Sequence, residues 1–409
     1  MLPLLPLSLL PVGLLNLPSL TPPTPAAVFK AVDLAVYAAD RQRDELLSGV
    51  KRSLLGEDPL DALSPSKYAL DPGTSTVAVT GATDGIGREA ALFLAKAGYG
   101  VVICARDADK GARVASDIRR DALDARVSVV PLDLASVRSV EDAVPLIQAA
   151  ATELGSPLRG LVLNAGVWPG KLQTSVDGME LALHACHIGH QQLTQRLLPD
   201  LQEATGEARV VTVSSSAHAF ASDAGLDDPM WASTSYDTNQ NYGRAKFANM
   251  LFAQELAQRA PAGVVSTVAH PGLVLTTLFK ELGPNYEPDS GGSLSGKSAV
   301  DDRLAGIPAL KMLRDSTPLK VVLKSPEEGC RPLMYALLAP GLPNGAYISD
   351  CELRDISPPS KGVAARTDLW EWTEAWLERT LGEIAPTATQ SGDAEDACGD
   401  DEECGLPSD

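Results

Sequence analysis

The sequence predicts an α/β fold, a single doubly wound parallel sheet, from three observations. Strand patterns rich in small or β-branched apolar residues alternate with helical patterns from about residue 75, the rhythm of successive βαβ units. The first strand pattern, Thr76-Val77-Ala78-Val79, runs directly into Thr80-Gly81-Ala82-Thr83-Asp84-Gly85-Ile86-Gly87, a glycine-rich turn that opens a helix. The 409 residues are 44% hydrophobic, enough for one large core with extensions at either end.

Three regions follow in chain order: an N-terminal extension over residues 1–72, a catalytic domain over 73–385 and an acidic tail over 386–409. Residues 1–29 carry no charged side chain, but Pro3, Pro6, Pro11 and Pro18 interrupt the leucines before a spanning helix can lengthen. From Ala26 to Leu55, Val28, Val32, Leu34 and Tyr37 followed by Arg41, Arg43, Lys51 and Arg52 read as an amphipathic helix. Such a helix either packs on the catalytic domain or serves as a targeting or membrane-associating segment. The tail from Gly392 to Asp409 holds eight acidic residues and no basic one, the composition of a disordered, solvating segment. The net charge of −19 excludes nucleic acid as a partner, because phosphate binding needs clustered Lys and Arg. The six cysteines lack paired metal-ligand spacing, and Cys104 falls in a buried strand as a small hydrophobe.

Within the domain, the first turn sets the chemistry. Gly81, Gly85 and Gly87 remove side chains that would hold a pyrophosphate away from the backbone and the helix N-terminus, so a dinucleotide is the natural guest. Thr83, Asp84 and Ile86 complete that loop. Strand two, Val101–Ala105, ends at Arg106, where this Rossmann-type arrangement places the residue that reads the adenosine ribose. A guanidinium there holds the 2′-phosphate of NADP through charge-assisted bonds, and nearby Arg88 adds support; a solvated arginine at a helix start is the alternative. Strands three to six follow at Val127–Pro131, Leu161–Leu163, Val210–Val213 and just before Pro271-Gly272. After the fifth comes Ser215, and 27 residues on, Tyr242 and Lys246 open a helix. Their i, i+4 spacing puts both side chains on one face. There the lysine's charge is expected to lower the phenol's pKa, making a usable proton donor and acceptor, while Ser215 holds a substrate oxygen.

The pattern Thr-Gly-x-x-x-Gly-x-Gly, together with Asp133-Leu134, Asn164-Ala165-Gly166, Ser215, Tyr242-x-x-x-Lys246 and Pro271-Gly272 in that order, resembles the short-chain dehydrogenase/reductase family. Tyr242–Phe252 with Glu255-Leu256-Ala257, His270–Thr276, Ser325–Gly329 and Ala346–Cys351 resemble its retinol dehydrogenase branch, which includes WW-domain oxidoreductases. The resemblance spans about 75 to 383. It implies alcohol–carbonyl interconversion with NADP(H) on a small lipophilic substrate, with Ser215, Tyr242 and Lys246 catalytic and Tyr242 and Lys246 also touching the cofactor. Asp133 is then the aspartate beside the adenine ring, or a helix N-cap, or both, with Leu134 alongside. Asn164, Ala165 and Gly166 support the central sheet beside the cofactor, and Pro271, Gly272 and Thr276 meet the nicotinamide end.

One position departs from the family. Relatives read Asn-His-Leu-Gly-His where this chain reads Cys186-His187-Ile188-Gly189-His190, so a thiol replaces the amide that completes the usual tetrad. That change admits a second expectation, an NADP(H)-binding sensor or scaffold with weakened catalysis. Residues 278–324, rich in Gly, Pro and Ser, occupy the place of the family's substrate loop and read as a mobile lid.

Overall fold

The protein is described by a computed structural model covering residues 59–274, 278 and 323–384. The amphipathic segment 26–55, the body of the 278–324 loop, Thr276 and the acidic tail lie outside these residues. The strands are β1 (Thr76–Thr80), β2 (Gly100–Ala105), β3 (Arg126–Pro131), β4 (Leu158–Leu163), β5 (Ala208–Val213), β6 (Val264–His270), β7 (Leu273–Val274), β8 (Leu323–Lys324), β9 (Ala346–Ser349) and β10 (Glu352–Arg354). Eight of them form one sheet in the order β10-β9-β6-β5-β4-β1-β2-β3; β7 and β8 pair separately. Every pairing in the large sheet is parallel except β10 on β9. Val77 of β1 lies opposite Val101 on one side and Gly160 on the other, so the strand order reverses at β1. Such a reversal opens a crevice at the carboxyl ends of the strands, which is where the glycine turn stands.

The helices are α1 (Gly85–Lys96), α2 (Ala108–Asp121), α3 (Val137–Glu153), α4 (Gly189–Glu203), α5 (Thr238–Arg259), α6 (Pro326–Leu338) and α7 (Val363–Ile384). Alternation along each strand divides them between two faces. Val77 and Val79 pack with Leu94 of α1, Ile118 of α2 and Leu333 of α6, whereas Ala78 faces a core shared by Ile147 of α3, Leu197 of α4 and Leu256 of α5. Parallel strands covered on both faces have no polar side, which is why β1, β2, β4 and β5 are buried at every position. Leu60 and Leu70, from the region the sequence assigns to the extension, belong to the first core and are 2% and 0% exposed. Burying each contributes roughly 1.5–3 kcal/mol, and Tyr99 Oη donates to the Leu70 carbonyl at 2.6 Å. The packed unit therefore begins before residue 72.

Ahead of α4 the chain turns through Leu181–Leu183 and then a π-helical turn, His184–Ile188. A π turn displaces side chains from the 3.6-residue register, and here its two histidines and His190, just inside α4, reach three different partners. His184 Nδ1 meets Ser175 Oγ at 2.8 Å, and its ring stands edge-on to Trp376. His187 Nε2 is 3.0 Å from Thr373 Oγ1 of α7. Because that hydroxyl donates to the Leu369 carbonyl, it accepts from the His187 ring. His190 Nε2 is 2.8 Å from Thr80 Oγ1, and its Nδ1 donates to the Cys186 carbonyl at 2.9 Å.

Burial holds all three rings neutral: His184 is pulled down to about 4, against the opposing pull of Asp177, and His187 and His190 to about 3. Folding therefore costs protons at acid pH. Below an unfolded imidazole value of about 6.5 the unfolded chain binds more protons than the native one, so this stability is complete above that pH and lost as pH falls toward 4. Urea unfolding between pH 7 and 4.5 is expected to show a falling midpoint, with each imidazole adding up to about 1.4 kcal/mol per pH unit to the slope. His187→Gln, which keeps a donor toward Thr373, is expected to flatten the curve; an unchanged slope would contradict this account.

Candidate active site

The crevice is assembled from the ends of β1, β4 and β5 and the starts of α1 and α5. At the glycine turn, Gly81 and Gly85 take φ of 64° and 51°, the left-handed region that favours glycine. Asp84 caps α1 by accepting from the Gly85 N–H at 2.7 Å. Thr83 is half-buried in the turn, and Ile86 packs toward α6, where a Cβ on Gly329 would lie 3.3 Å from it. The sequence gives the glycines the task of admitting a pyrophosphate, and the structure adds an internal reason for two of them. A Cβ on Gly81 would stand 2.8 Å from Ala165 Cα, and one on Gly87 would stand 2.4 Å from both the Gly81 carbonyl oxygen and Asn164 Nδ2. Loop, helix and β4 end can close together only without those side chains.

Asn164 and Ala165 supply the other half of that contact. The Asn164 and Ala165 N–H groups donate to Thr80 Oγ1 at 2.9 and 3.0 Å, and Asn164 Nδ2 donates to the Thr80 carbonyl at 2.9 Å. Gly166 lies between the Cys186 thiol and the Lys246 ammonium, each 3.3 Å from where its Cβ would be. Asp133 accepts from the Ala135 N–H through Oδ1 at 2.9 Å. It does not cap the next helix, as one sequence reading allows: the N-cap of α3 is Ser136, which accepts from the Ser139 N–H. Asp133 sits three residues too early and turns the chain instead. Leu134 is buried in the core, its carbonyl close under Gly189. Arg106 is exposed immediately after β2, beside Asp107, the N-cap of α2. Pro271 and Gly272 follow β6; Gly272 has φ 84°, its N–H donates to His270 Nδ1 at 3.1 Å, and Lys324 fills the space a side chain there would need.

Ser215, Tyr242 and Lys246 come together. Ser215 stands after β5 and begins a short 3₁₀ turn, accepting from the Ala217 N–H at 3.2 Å, and its side chain exerts a lowering influence on the Tyr242 phenol. Tyr242 and Lys246, one turn apart on α5, are 5% and 3% exposed. Lys246 Nζ lies 5.7 Å from the Tyr242 ring centroid and donates to the Val213 carbonyl at 3.1 Å. The expected lowering of the phenol does not occur in the protein alone. Burial, the largest influence, pushes the Tyr242 phenol up and pulls the Lys246 ammonium down, each penalising its charged form. Cys186, wholly buried on the π turn, accepts from the Val167 N–H at 3.4 Å and donates to the Val167 carbonyl at 3.7 Å, so the thiol bridges the backbone beside Gly166.

Sequence reading missed several members of this site. Trp168 stacks on Tyr242, and Asn241 links the Glu180 carboxylate at 2.9 Å to the Trp231 indole N–H at 2.8 Å, just before Tyr242. Trp168 carries no spacing signal of its own, and Glu180 and Asn241 lie 61 residues apart.

Residues 75–287, more than half of the chain, match the short chain dehydrogenase family. The chain belongs to the short-chain dehydrogenase family. Human retinol dehydrogenase 13 is 31% identical over 80% of this chain and 89% of its own length. The WW domain-containing oxidoreductase of Danio rerio is 33% identical over 76% and 70%, and the polyprenol dehydrogenase of Mus musculus 34% over 74% and 82%. These relatives define a retinol dehydrogenase-like branch. A crystal structure of an uncharacterised protein from Mycobacterium paratuberculosis shares the fold, with a TM-score of 0.55 at 24% identity over 77% of this chain and 97% of that one. As a short-chain dehydrogenase, the protein is an oxidoreductase that uses a nicotinamide cofactor and interconverts a small alcohol and its carbonyl. The left-handed glycine turn at the N-terminus of α1 is a cradle that fits such a cofactor's phosphates. Among the described residues no helix is long and apolar enough to cross a membrane.

The dehydrogenase's glycine contacts lead to a paired expectation. Gly87→Ala forces its Cβ against backbone and should lower stability by about 1–3 kcal/mol while weakening cofactor binding. Gly382→Ala, on the exposed face of α7 with nothing within 4 Å, should instead raise stability by up to about 1 kcal/mol. Urea midpoints and cofactor titration of the two variants check both signs.

Proposed function

We propose that the chain is an NADP(H)-dependent dehydrogenase/reductase of small lipophilic alcohols and carbonyls, with Tyr242 as its general acid and base. The observation that carries this reading is the convergence of buried Tyr242 and Lys246, with the Lys246 ammonium 5.7 Å from the phenol ring, at the end of β5 where Ser215 stands. The nicotinamide, when bound, supplies or accepts the hydride. Ser215 holds the reacting oxygen beside the phenol. In reduction the Tyr242 hydroxyl gives its proton to that oxygen; in oxidation the Tyr242 phenolate oxygen takes the proton from the alcohol hydroxyl. Lys246 faces the phenol from one helical turn away, so its charge stabilises the phenolate left by proton donation. It also has donors beyond the one directed at Val213 with which to hold the cofactor's ribose.

The glycine turn from Gly81 to Gly87 would hold the pyrophosphate at the start of α1, with Thr83, Asp84 and Ile86 along it. Asp133 and Leu134 would lie toward the adenine, Asn164 to Gly166 would let the end of β4 approach the cofactor, and Pro271 and Gly272 would meet its nicotinamide end. Arg106 supports NADP over NAD: an exposed guanidinium after β2 suits a 2′-phosphate and offers nothing to a free 2′-hydroxyl that an acidic residue would not do better. The substrate class draws on relatives named for retinol and polyprenol, both lipophilic alcohols.

Tyr242→Phe is expected to lower turnover roughly a hundredfold or more while leaving NADPH binding nearly intact, because only the transferable proton is lost. Lys246→Ala should damage both. Assays of NADPH oxidation against a panel of aldehydes and ketones measure the first, and fluorescence titration the second; a phenylalanine variant keeping a tenth of wild-type activity would overturn the role.

Cofactor choice is tested separately. NADPH should bind more tightly than NADH, and Arg106→Asp should reverse the order by setting a carboxylate against the phosphate. Equal wild-type affinities would remove the assignment.

A further inference from the structure

Trp168 is held against Tyr242 more firmly than chance packing requires. The indole lies flat on the phenol, with ring centroids 4.5 Å apart and planes 10° from parallel. Its Nε1 donates to the carbonyl of Thr238 at 3.1 Å, and Thr238 is the first residue of α5, one turn before Tyr242. Both neighbours in sequence are fixed as well. The Val167 N–H is tied to the Cys186 thiol, and the Pro169 carbonyl accepts from Thr238 Oγ1 at 2.5 Å and from the Tyr236 hydroxyl at 3.1 Å. The strand end that supports the cofactor crevice is thus laced to the start of the helix carrying the phenol, and the indole is the piece between them.

Two consequences follow from the chemistry of the rings. A flat aromatic cover keeps water off one face of the phenol, and the negative face of the indole adds to the cost of a phenolate. Trp168 is only half-buried, while Tyr242 is 5% exposed, so of the two stacked residues the tryptophan is the more open to an incoming molecule. A planar π system gains stacking there that a saturated ring does not.

Resting on the reading of Tyr242 as the acid and base, we propose that Trp168 is a positioning and specificity residue whose indole fixes the phenol and forms the wall beside the reacting carbon, favouring aryl and conjugated carbonyls over saturated ones. It does not exchange protons. The groups facing the phenol from the surrounding elements are Lys246 on its own helix, Cys186 from the π turn and Ser215 after β5, and all three are retained when Trp168 is changed.

The test compares the wild type, Trp168→Leu and Trp168→Phe in reducing benzaldehyde and cyclohexanecarbaldehyde, two aldehydes of similar size that differ in planarity. The wild type should prefer benzaldehyde; Trp168→Leu should lose about threefold to tenfold of that preference, mainly through KM, and Trp168→Phe should recover most of it. Near-ultraviolet circular dichroism, with the same change made in a Tyr242→Phe background to isolate this tyrosine, gives a readout that needs no turnover. The band that Tyr242 contributes depends on how rigidly its ring is held, and it should weaken in Trp168→Leu and stay near the wild-type value in Trp168→Phe. Trp168→Met, another non-aromatic side chain, provides the same comparison should the leucine protein not fold. Unchanged preference and an unchanged Tyr242 band in a non-aromatic variant that melts like the wild type would overturn the proposal. Failure of the wild type to reduce either aldehyde with NADPH or NADH would count instead against Tyr242 chemistry, and the Tyr242 band would then still decide whether the indole positions that ring.

Discussion

One hydroxyl ties the crevice together. Thr80 Oγ1, at the end of β1, accepts the Asn164 and Ala165 N–H groups from β4 and meets the His190 ring from α4. His190 continues to the Cys186 carbonyl, so the glycine turn, the Asn164–Gly166 segment and the π turn share one hydrogen-bonded hub. The hub is buried, with Thr80 2% and His190 1% exposed, and buried polar groups that lose a partner cost about 1–3 kcal/mol each. Its members therefore move together or not at all.

Around that hub the electrostatics are set by burial more than by charge. The Tyr242 phenol rises and the Lys246 ammonium falls because both lie out of water, and His187 of the π turn and His190 of α4 are neutral for the same reason. A pocket of this kind discourages charge until a substrate and cofactor replace the missing solvent with their own polar groups, the usual way a low dielectric is put to work in proton transfer. Cys186 fits the same pattern: its thiol spans the Val167 N–H and carbonyl, and it keeps the strand end beside Gly166 without introducing a charge.

The outer elements brace this centre. α7 lays Trp370 flat on Phe252 of α5, ring centroids 5.8 Å apart, and places Thr373 under His187, so the C-terminal helix supports both the catalytic helix and the π turn. On the far side, Lys324 of β8 makes a buried ion pair with Asp350 and packs against Gly272, closing the Pro271-Gly272 turn from below. The two-stranded ribbon of β7 and β8 joins the ends of the segment that the sequence reads as a lid.

The sequence determined the first five parallel strands to within three residues, the glycine turn and the placing of Tyr242 and Lys246 on one helix face, because each is written in local spacing: unbroken runs of small and β-branched apolar residues, glycines at fixed intervals, and an i, i+4 pair. Tertiary structure alone decided what is set by contacts between distant segments. Leu60 joins the core from outside the expected boundary, Ser136 rather than Asp133 caps α3, and Gly81 and Gly87 make room for Ala165 and Asn164 as well as for a ligand. The net direction of the Tyr242 shift also waited for the fold. Spacing shows that a lysine faces the phenol, but only three-dimensional packing gives the desolvation that outweighs the lowering influence of Ser215, since burial is a property of everything that surrounds a residue and not of its neighbours in sequence.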